Sequence, residues 1–392
     1  MAMALQGVRV LDFTHTLAGP FGSLILGDLG AEVIKIELPG QRQTLEGGAS
    51  FQGESVYFLA LNRNKKSITL DLKRPEGKEV FFDLARKADV VLDNYRAGVL
   101  EKLSIDYETL SSINPRIISA SVNGFGSSGP YHDRPAYDLM IQGMAGGMSI
   151  TGDPPPVRAG LAISDLCGGM FAAHGILAAL YERERTGKGQ RVEVALLDGQ
   201  IALLVYCVPD FFVTGQAGGP VGIGQRAHPT YRTFKTKDEP INICIPPGTG
   251  FWENLCQALE SKELAADPRF DSPAKRRENK DELVDIIQAI LLTKSAEEWL
   301  ACFLKKEVPA GPINTIEKAL IDPQVWHREM VVPVEFGGEA LLVAGNPIKM
   351  SASDPVFASP PTFGQHTDQL LTQLLGYSPE KIAALRTEKV ID

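Results

Sequence analysis

Cysteine is scarce in this 392-residue chain: Cys167, Cys207, Cys244, Cys256 and Cys302 are scattered, with no CxxC pair. An odd, unpatterned set excludes a zinc ribbon and a disulfide framework, and it suits a reducing compartment. Positive charge is also short, with 39 Lys and Arg against 48 Asp and Glu for a net charge of −9. That balance argues against nucleic acid as the main partner, because phosphate binding wants a basic face. The opening "MAMALQGVRVLDF" lacks a basic segment and a long apolar stretch, so no secretory leader is expected. Apolar runs reach only about 15 residues and are broken by His or Gly, too short to predict a bilayer span. A cytoplasmic protein with no membrane partner is the expectation. Six histidines (His15, His132, His174, His228, His327, His366) show neither HExxH nor HxH spacing, so no metal site is expected. No GxSxG elbow and no 20–50-residue repeat occur.

What is present is an ordinary globular balance, 44% hydrophobic and 22% charged, on a chain long enough for two cores. The first third alternates strand and helix patterns. "GVRVLDFT" (7–14) reads as a buried strand, "GPFGSLILGDLGA" (19–31) as a helix and "EVIKIEL" (32–38) as a strand. "KSITLDL" (66–72), a helix over 75–88, "DVVLDNY" and a further helix–strand step through "RIISASVNGFG" follow. This spacing predicts βαβ units and a parallel sheet covered on both faces, an α/β Rossmann-like fold. No GxGxxG follows the first strand, so the dinucleotide fingerprint is missing. Residues 165–185 form the strongest helix pattern, stopped by Gly187 and Gly189. The glycine-rich stretch 213–228 reads as a linker. Residues 229–325 read as a smaller α+β domain, and 1–212 with 330–392 as the large one. A hairpin turning at Gly337-Gly338 and a closing helix over 366–376 complete the pattern.

Two constellations could carry chemistry. Arg63, Lys65, Lys66, Lys73 and Arg74 crowd around a single acid, Asp71. They form either a patch for a polyphosphate-bearing small molecule or a solvated loop face. Asp165 heads the run "ISDLCGGMFAAHGILAALYERERTGKG", relieved up to Glu182 only by His174 and small residues. His174 reads as a core histidine. Asp165 is either the helix's N-cap, a role Asp favours, or a working group. Ser164 could cap instead. Gly168 and Gly169 cost roughly 1 kcal/mol each against Ala inside a helix, so something must need their small size. A ligand near the backbone, or helix-start N–H groups holding an oxyanion, would supply the reason. The helix dipole favours an ionised carboxylate, and such a group beside free N–H donors has the parts for nucleophilic acyl transfer.

The segments "GVRVLDFTHTLAGPFGSLILGDLGAEVIKIELPG", "LNRNKKSITLDLKRPEG", "DNYRAGVLEKL", "NPRIISASVNGFGSSGPYHDRPAYD", "ISDLCGGMFAAHGILAALYERERTGKGQ", "VPAGPINTI" and "FGQHTD" together resemble the class III CoA-transferases, the formyl-CoA transferase or carnitine–CoA transferase family. "LNRNKKSI", "PVRAGLAISDL" and "TFKTKD" are most similar to members handling short dicarboxylic acids such as succinate or glutarate. The resemblance implies a Rossmann-like large domain built from both chain ends, a small domain between them, and a homodimer of interlocked rings. It implies no tightly bound cofactor, with a coenzyme A thioester as substrate and a small carboxylic acid as partner.

By the same resemblance Asp165 matches the catalytic aspartate. It attacks a donor thioester to give a mixed anhydride and CoA thiolate, which then forms an aspartyl-CoA thioester that the acceptor acid opens. Lys73, Asn94, Tyr95, Arg96 and Lys102 fall where the family grips CoA, and Leu70 and Thr16 near its pantetheine and thioester end. Tyr137 stands where transferases carry tyrosine and related racemases carry histidine. It counts against an acyl-CoA racemase using Asp165 as base, which is the alternative enzyme; a non-catalytic acyl-CoA-binding protein is the third reading. Leu17 replaces a glutamine of formyl-CoA transferases, and Leu38 an arginine used on CoA phosphate. The loop "PPGTGFW" (246–252), with Gly248 and Gly250, replaces the family's lid segment. Arg134 or Arg158 is expected to meet the distal carboxylate of a dicarboxylate, because burying an unpaired charge is costly.

Overall fold

The apolar runs of the first third become strands buried on both faces. The computed structural model describes residues 3–41, 48–224, 228–246 and 248–392. Six strands, Arg9–Asp12, Glu32–Glu37, Lys65–Thr69, Val90–Asp93, Ile118–Asn123 and Arg191–Ala195, pair entirely in parallel. Their order across the sheet is third, second, first, fourth, fifth, sixth. Successive side chains of a strand face opposite ways. Val10, Val33 and Val90 therefore enter one core with Leu26, Ala172 and Ile176, while Leu11, Ile34 and Val91 enter the other with Phe81 and Leu84. The chain leaves the first strand towards one edge and returns to its other side at the fourth. That reversal opens a crevice beyond the carboxyl ends of those two strands.

The long helix spans Ile163–Thr186 and ends at Gly187, whose φ of 72° lets its N–H bond back to the Arg183 carbonyl at 2.8 Å. Its 24 residues have the length and hydropathy of a membrane-crossing segment, more than the interrupted runs of the sequence predict. Half of it is covered within the protein, where it packs on the sheet and on the first helix, Ala18–Asp28. The two helices meet through glycine. A Cβ on Gly169 would lie 2.4 Å from the Ala18 carbonyl oxygen, and one on Gly22 2.9 Å from the Gly169 oxygen.

The chain divides into two compact units, Met1–Gly147 with Arg158–Thr214 and Pro323–Asp392, and Met148–Val157 with Gly215–Asp322. Residues 148–157 fall in the second unit, although the sequence partition keeps them in the large domain. The second unit holds an antiparallel sheet of Tyr231–Phe234, Ile241–Cys244 and Ala310–Pro312. Its core gathers Phe234, Ile243, Leu255, Ile287, Trp299 and Phe303. Residues 225–227 of the expected linker and Pro247 of the PPGTG loop lie outside the described residues. The helix Cys207–Thr214 runs two residues into the expected linker. The closing helix is Pro379–Thr387; residues Leu370–Leu374 form a wide π turn inside the segment expected to close the chain. Gly337 and Gly338 make the expected hairpin turn in the left-handed region.

Candidate active site

A cleft of about 380 Å³ opens at the carboxyl ends of the first and fourth strands. Its wall begins with His15, Thr16, Leu17 and Ala18, the turn joining the first strand to the first helix. It continues through Asn94, Tyr95 and Arg96 after the fourth strand, Asn123 and Gly124 after the fifth, and His132, Arg134 and Tyr137 in the following loop. Asp165 completes it. Helices start along this wall at Ala18, Asp138 and Ile163, and none of these has its own N-cap side chain bonded. Such helix starts favour negative charge.

Asp165 is not the cap. The helix begins two residues earlier, with Ala162 at the cap position. The Ser164 N–H donates to Asp138 Oδ1 at 2.9 Å, and the Ser164 hydroxyl to Gln200 Oε1 at 2.8 Å. The capping carboxylate thus comes from another element, and Gln142 Nε2 steadies it by donating to Asp138 Oδ2 at 2.7 Å. Asp165 is left half-buried with its carboxylate free of protein hydrogen bonds among the described residues. Burial, reinforced by the nearby Asp138 charge, pushes its pKa up to about 6. Desolvation therefore outweighs the helix dipole that the sequence reading expected to hold the group ionised. Tyr57, from the helix Val56–Asn62, is pushed up to about 12 by burial and by Asp165. The buried Cys167 thiol, pushed up to about 11 by burial, is an inert neighbour rather than a nucleophile.

The sequence-predicted residues sort into three groups. Thr16, Leu17, Asn94, Tyr95, Arg96, Arg134, Tyr137 and Asp165 share the cleft wall. Lys73, Lys102 and Arg158 are exposed and stand outside it. Gly248 and Gly250 belong to the second unit. Two expectations need correction. Gly168 and Gly169 are buried and make room for protein, since a Cβ on Gly168 would lie 2.4 Å from Leu196 Cδ2 and one on Gly169 2.4 Å from the Ala18 carbonyl oxygen. Leu70 is a core side chain, 2% exposed. The basic cluster also dissolves. Arg63 is buried against Asp28, with nitrogen to oxygen at 2.6 Å, Lys65 against Asp12 at 3.0 Å, and Lys66 pairs Glu32 at 2.7 Å. Lys73 and Arg74 face solvent, and Lys66 is partly exposed.

Asn94, in the cleft wall, also holds the adjoining turn: its amide accepts from the His15 N–H at 3.0 Å and donates to the His15 carbonyl at 2.7 Å. His15, His132, Asn123 and Tyr57 were not singled out by the sequence. Their positions just past strand ends were the available signal for the first and third; Tyr57 arrives from a distant helix with none.

The family model described as CoA-transferase family III matches residues 5–367. The chain is 42% identical over 356 residues to an acetyl-CoA:oxalate CoA-transferase of Acetobacter aceti, covering 89% of this chain and 90% of that one. It is 37% identical over 398 residues to the succinyl-CoA:glutarate CoA-transferase of Mus musculus, covering 99% and 90%. A crystal structure of a CAIB/BAIF family protein from Brucella suis superposes with a TM-score of 0.84 at 34% identity, covering 95% and 100% of the two chains.

Proposed function

From the premise that the chain belongs to CoA-transferase family III, we propose that it moves CoA reversibly from an acyl-CoA to a free dicarboxylic acid, with Asp165 as covalent carrier. The observation that carries this reading is the half-buried Asp165 carboxylate, free of protein hydrogen bonds among the described residues and relieved of capping by Asp138. A poorly solvated carboxylate is a better nucleophile than one in water and still mostly ionised near neutral pH. It attacks the thioester carbonyl to give an acyl–aspartyl anhydride and CoA thiolate. The thiolate then attacks the aspartyl carbonyl, expelling the acyl group as carboxylate and leaving an aspartyl-CoA thioester. The acceptor carboxylate opens that thioester, and the same steps reversed release the new acyl-CoA. Each step trades one acyl bond for another, so thioester energy is kept as long as water stays out.

The acceptor class rests on the relatives, whose printed acids, oxalate and glutarate, are both dicarboxylic. Arg134 is the cation for the distal carboxylate: it shares the cleft with Asp165, stacked 3.9 Å over the Tyr131 ring, whereas Arg158 does not line it. Tyr95 and Arg96 receive the CoA end. Several apolar side chains of the first unit, Tyr181, Val205, Tyr206, Phe212 and Val213, are over 70% exposed. Surface of that kind marks an interface, and a second copy of the chain is its proposed cover.

Trapping tests the carrier. The protein is incubated with succinyl-CoA, quenched with hydroxylamine and digested, and the peptide holding Asp165 is weighed. A hydroxamate that forms only with acyl-CoA supports the aspartyl path. An unmodified peptide across a donor panel, with deuterium entering the acyl α-carbon, would replace the transferase reading with the racemase.

A further inference from the structure

Lys35 stands in the middle of the second strand, EVIKIE, where a buried parallel strand calls for an apolar residue. It is 1% exposed. Its Nζ donates to the Thr14 carbonyl at 2.7 Å. An ammonium so buried is costly to keep; among the described residues its one hydrogen bond is to the turn that walls the cleft, with the charges of Asp12 and Glu37 close enough to interact. That turn is fastened at every peptide group before Thr16. Asp12 Oδ1 accepts the Thr14 N–H at 2.8 Å and the Thr14 hydroxyl at 2.5 Å. Asp12 Oδ2 accepts from Ser23 Oγ at 2.6 Å and from Lys65 Nζ at 3.0 Å. Asn94 then holds both the N–H and the carbonyl of His15.

All this fastening ends at a strained residue. Thr16 has φ of 66°, a left-handed conformation unfavourable for a side chain with a branched Cβ. Its N–H shares a planar peptide with the His15 carbonyl and points the opposite way, so Asn94 also fixes the direction of that N–H. Among the described residues the Thr16 N–H has no protein partner, and Thr16 lines the cleft beside Leu17. A donor fixed in advance needs no reorganisation when negative charge develops near it.

We propose that Lys35 and Asp12, with Asn94, are positioning residues that hold the Thr14–Thr16 turn in its strained form, so that the Thr16 N–H stands ready for the thioester oxygen as it gains charge. The proposal rests on the reading of Asp165 as the group that attacks the thioester. Lys35→Met in the full-length protein separates positioning from packing. The turn loses its fastening while an apolar chain of similar length fills the same space, at a cost in stability because the Thr14 carbonyl loses its donor and Asp12 and Glu37 lose a nearby positive charge. The expected result is a kcat lower by on the order of 10²-fold, the size seen when one oxyanion donor is lost, with the KM for acyl-CoA within about three-fold. The melting temperature falls, but the loss of kcat well below it exceeds the lost folded fraction, and amide hydrogen exchange quickens over residues 15–17 more than in the sheet core. Wild-type kcat in the variant, or a kcat loss that merely follows a lost fold, overturns the proposal. Should Lys35→Met not fold, Asn94→Ala at a half-buried position carries the same comparison. If the wild-type protein transfers CoA from no donor, it is the Asp165 reading that fails. The exchange measurement then still decides the positioning role, and unchanged exchange overturns it.

Discussion

A carboxylate in a half-buried place has two opposite consequences at Asp165, and both can be measured. Its pKa of about 6 lies above the ordinary carboxylate value of 3.8, so the nucleophilic form is lost as pH falls below about 6. The expected kcat/KM for CoA transfer drops about ten-fold per pH unit below that point. For stability the sign is reversed. A raised pKa contributes stability that is full below the ordinary carboxylate range and is lost as pH rises through about 6. Asp165→Asn is therefore expected to abolish transfer yet raise the melting temperature at pH 8 by about 1–3 °C, with little gain at pH 4. A variant with substantial activity would remove Asp165 from the chemistry. Asp138 supplies part of the same shift by like charge. Asp138→Asn keeps an oxygen for the Ser164 N–H while removing that charge, so the acid limb of the pH–rate profile should move down by less than one unit; a limb that stays put would leave burial as the sole cause.

At the scale of elements, the site depends on how closely two helices cross. The first helix carries the Thr16–Ala18 end of the cleft and the long helix carries Asp165, and they touch through Gly22 and Gly169. Gly169→Ala places a methyl 2.4 Å from the Ala18 carbonyl oxygen, which is backbone and cannot swing aside. The expected cost is about 1–3 kcal/mol in urea unfolding, with a loss of activity larger than the lost folded fraction because the turn at Thr16 shifts with the helix. Unchanged activity would show that the helices slide apart without moving the cleft. The element pattern was largely legible because buried parallel strands and amphipathic helices leave periodic traces. The sixth strand, Arg191–Ala195, was not, since its alternating "RVEVA" at a sheet edge is short and carries two charges.

At the scale of the whole molecule, the exposed Tyr206, Phe212 and Val213 predict association. Sedimentation at micromolar concentration should give twice the chain mass of 42.5 kDa. Phe212→Asp, harmless on a free surface because Phe212 is 80% exposed in the single chain, should shift the protein towards single chains. A wild-type protein that sediments as one chain would end the dimer proposal.

The sequence by itself determined the α/β class and the parallel order of helix and strand, and it singled out Asp165. Those features rest on local periodicity, on the residues needed to stop a helix, and on an acid standing alone before an apolar run. The tertiary structure decided what each polar residue is for. Arg63 and Lys65, which look like part of a surface patch in "LNRNKK", turn inward to Asp28 and Asp12, and glycines that look like room for a ligand are room for packed protein. Asp138 takes the capping role from across the fold and so leaves Asp165 free. Such pairings join residues tens of positions apart, and a charge or a small side chain carries no local mark of the partner that folding will bring to it.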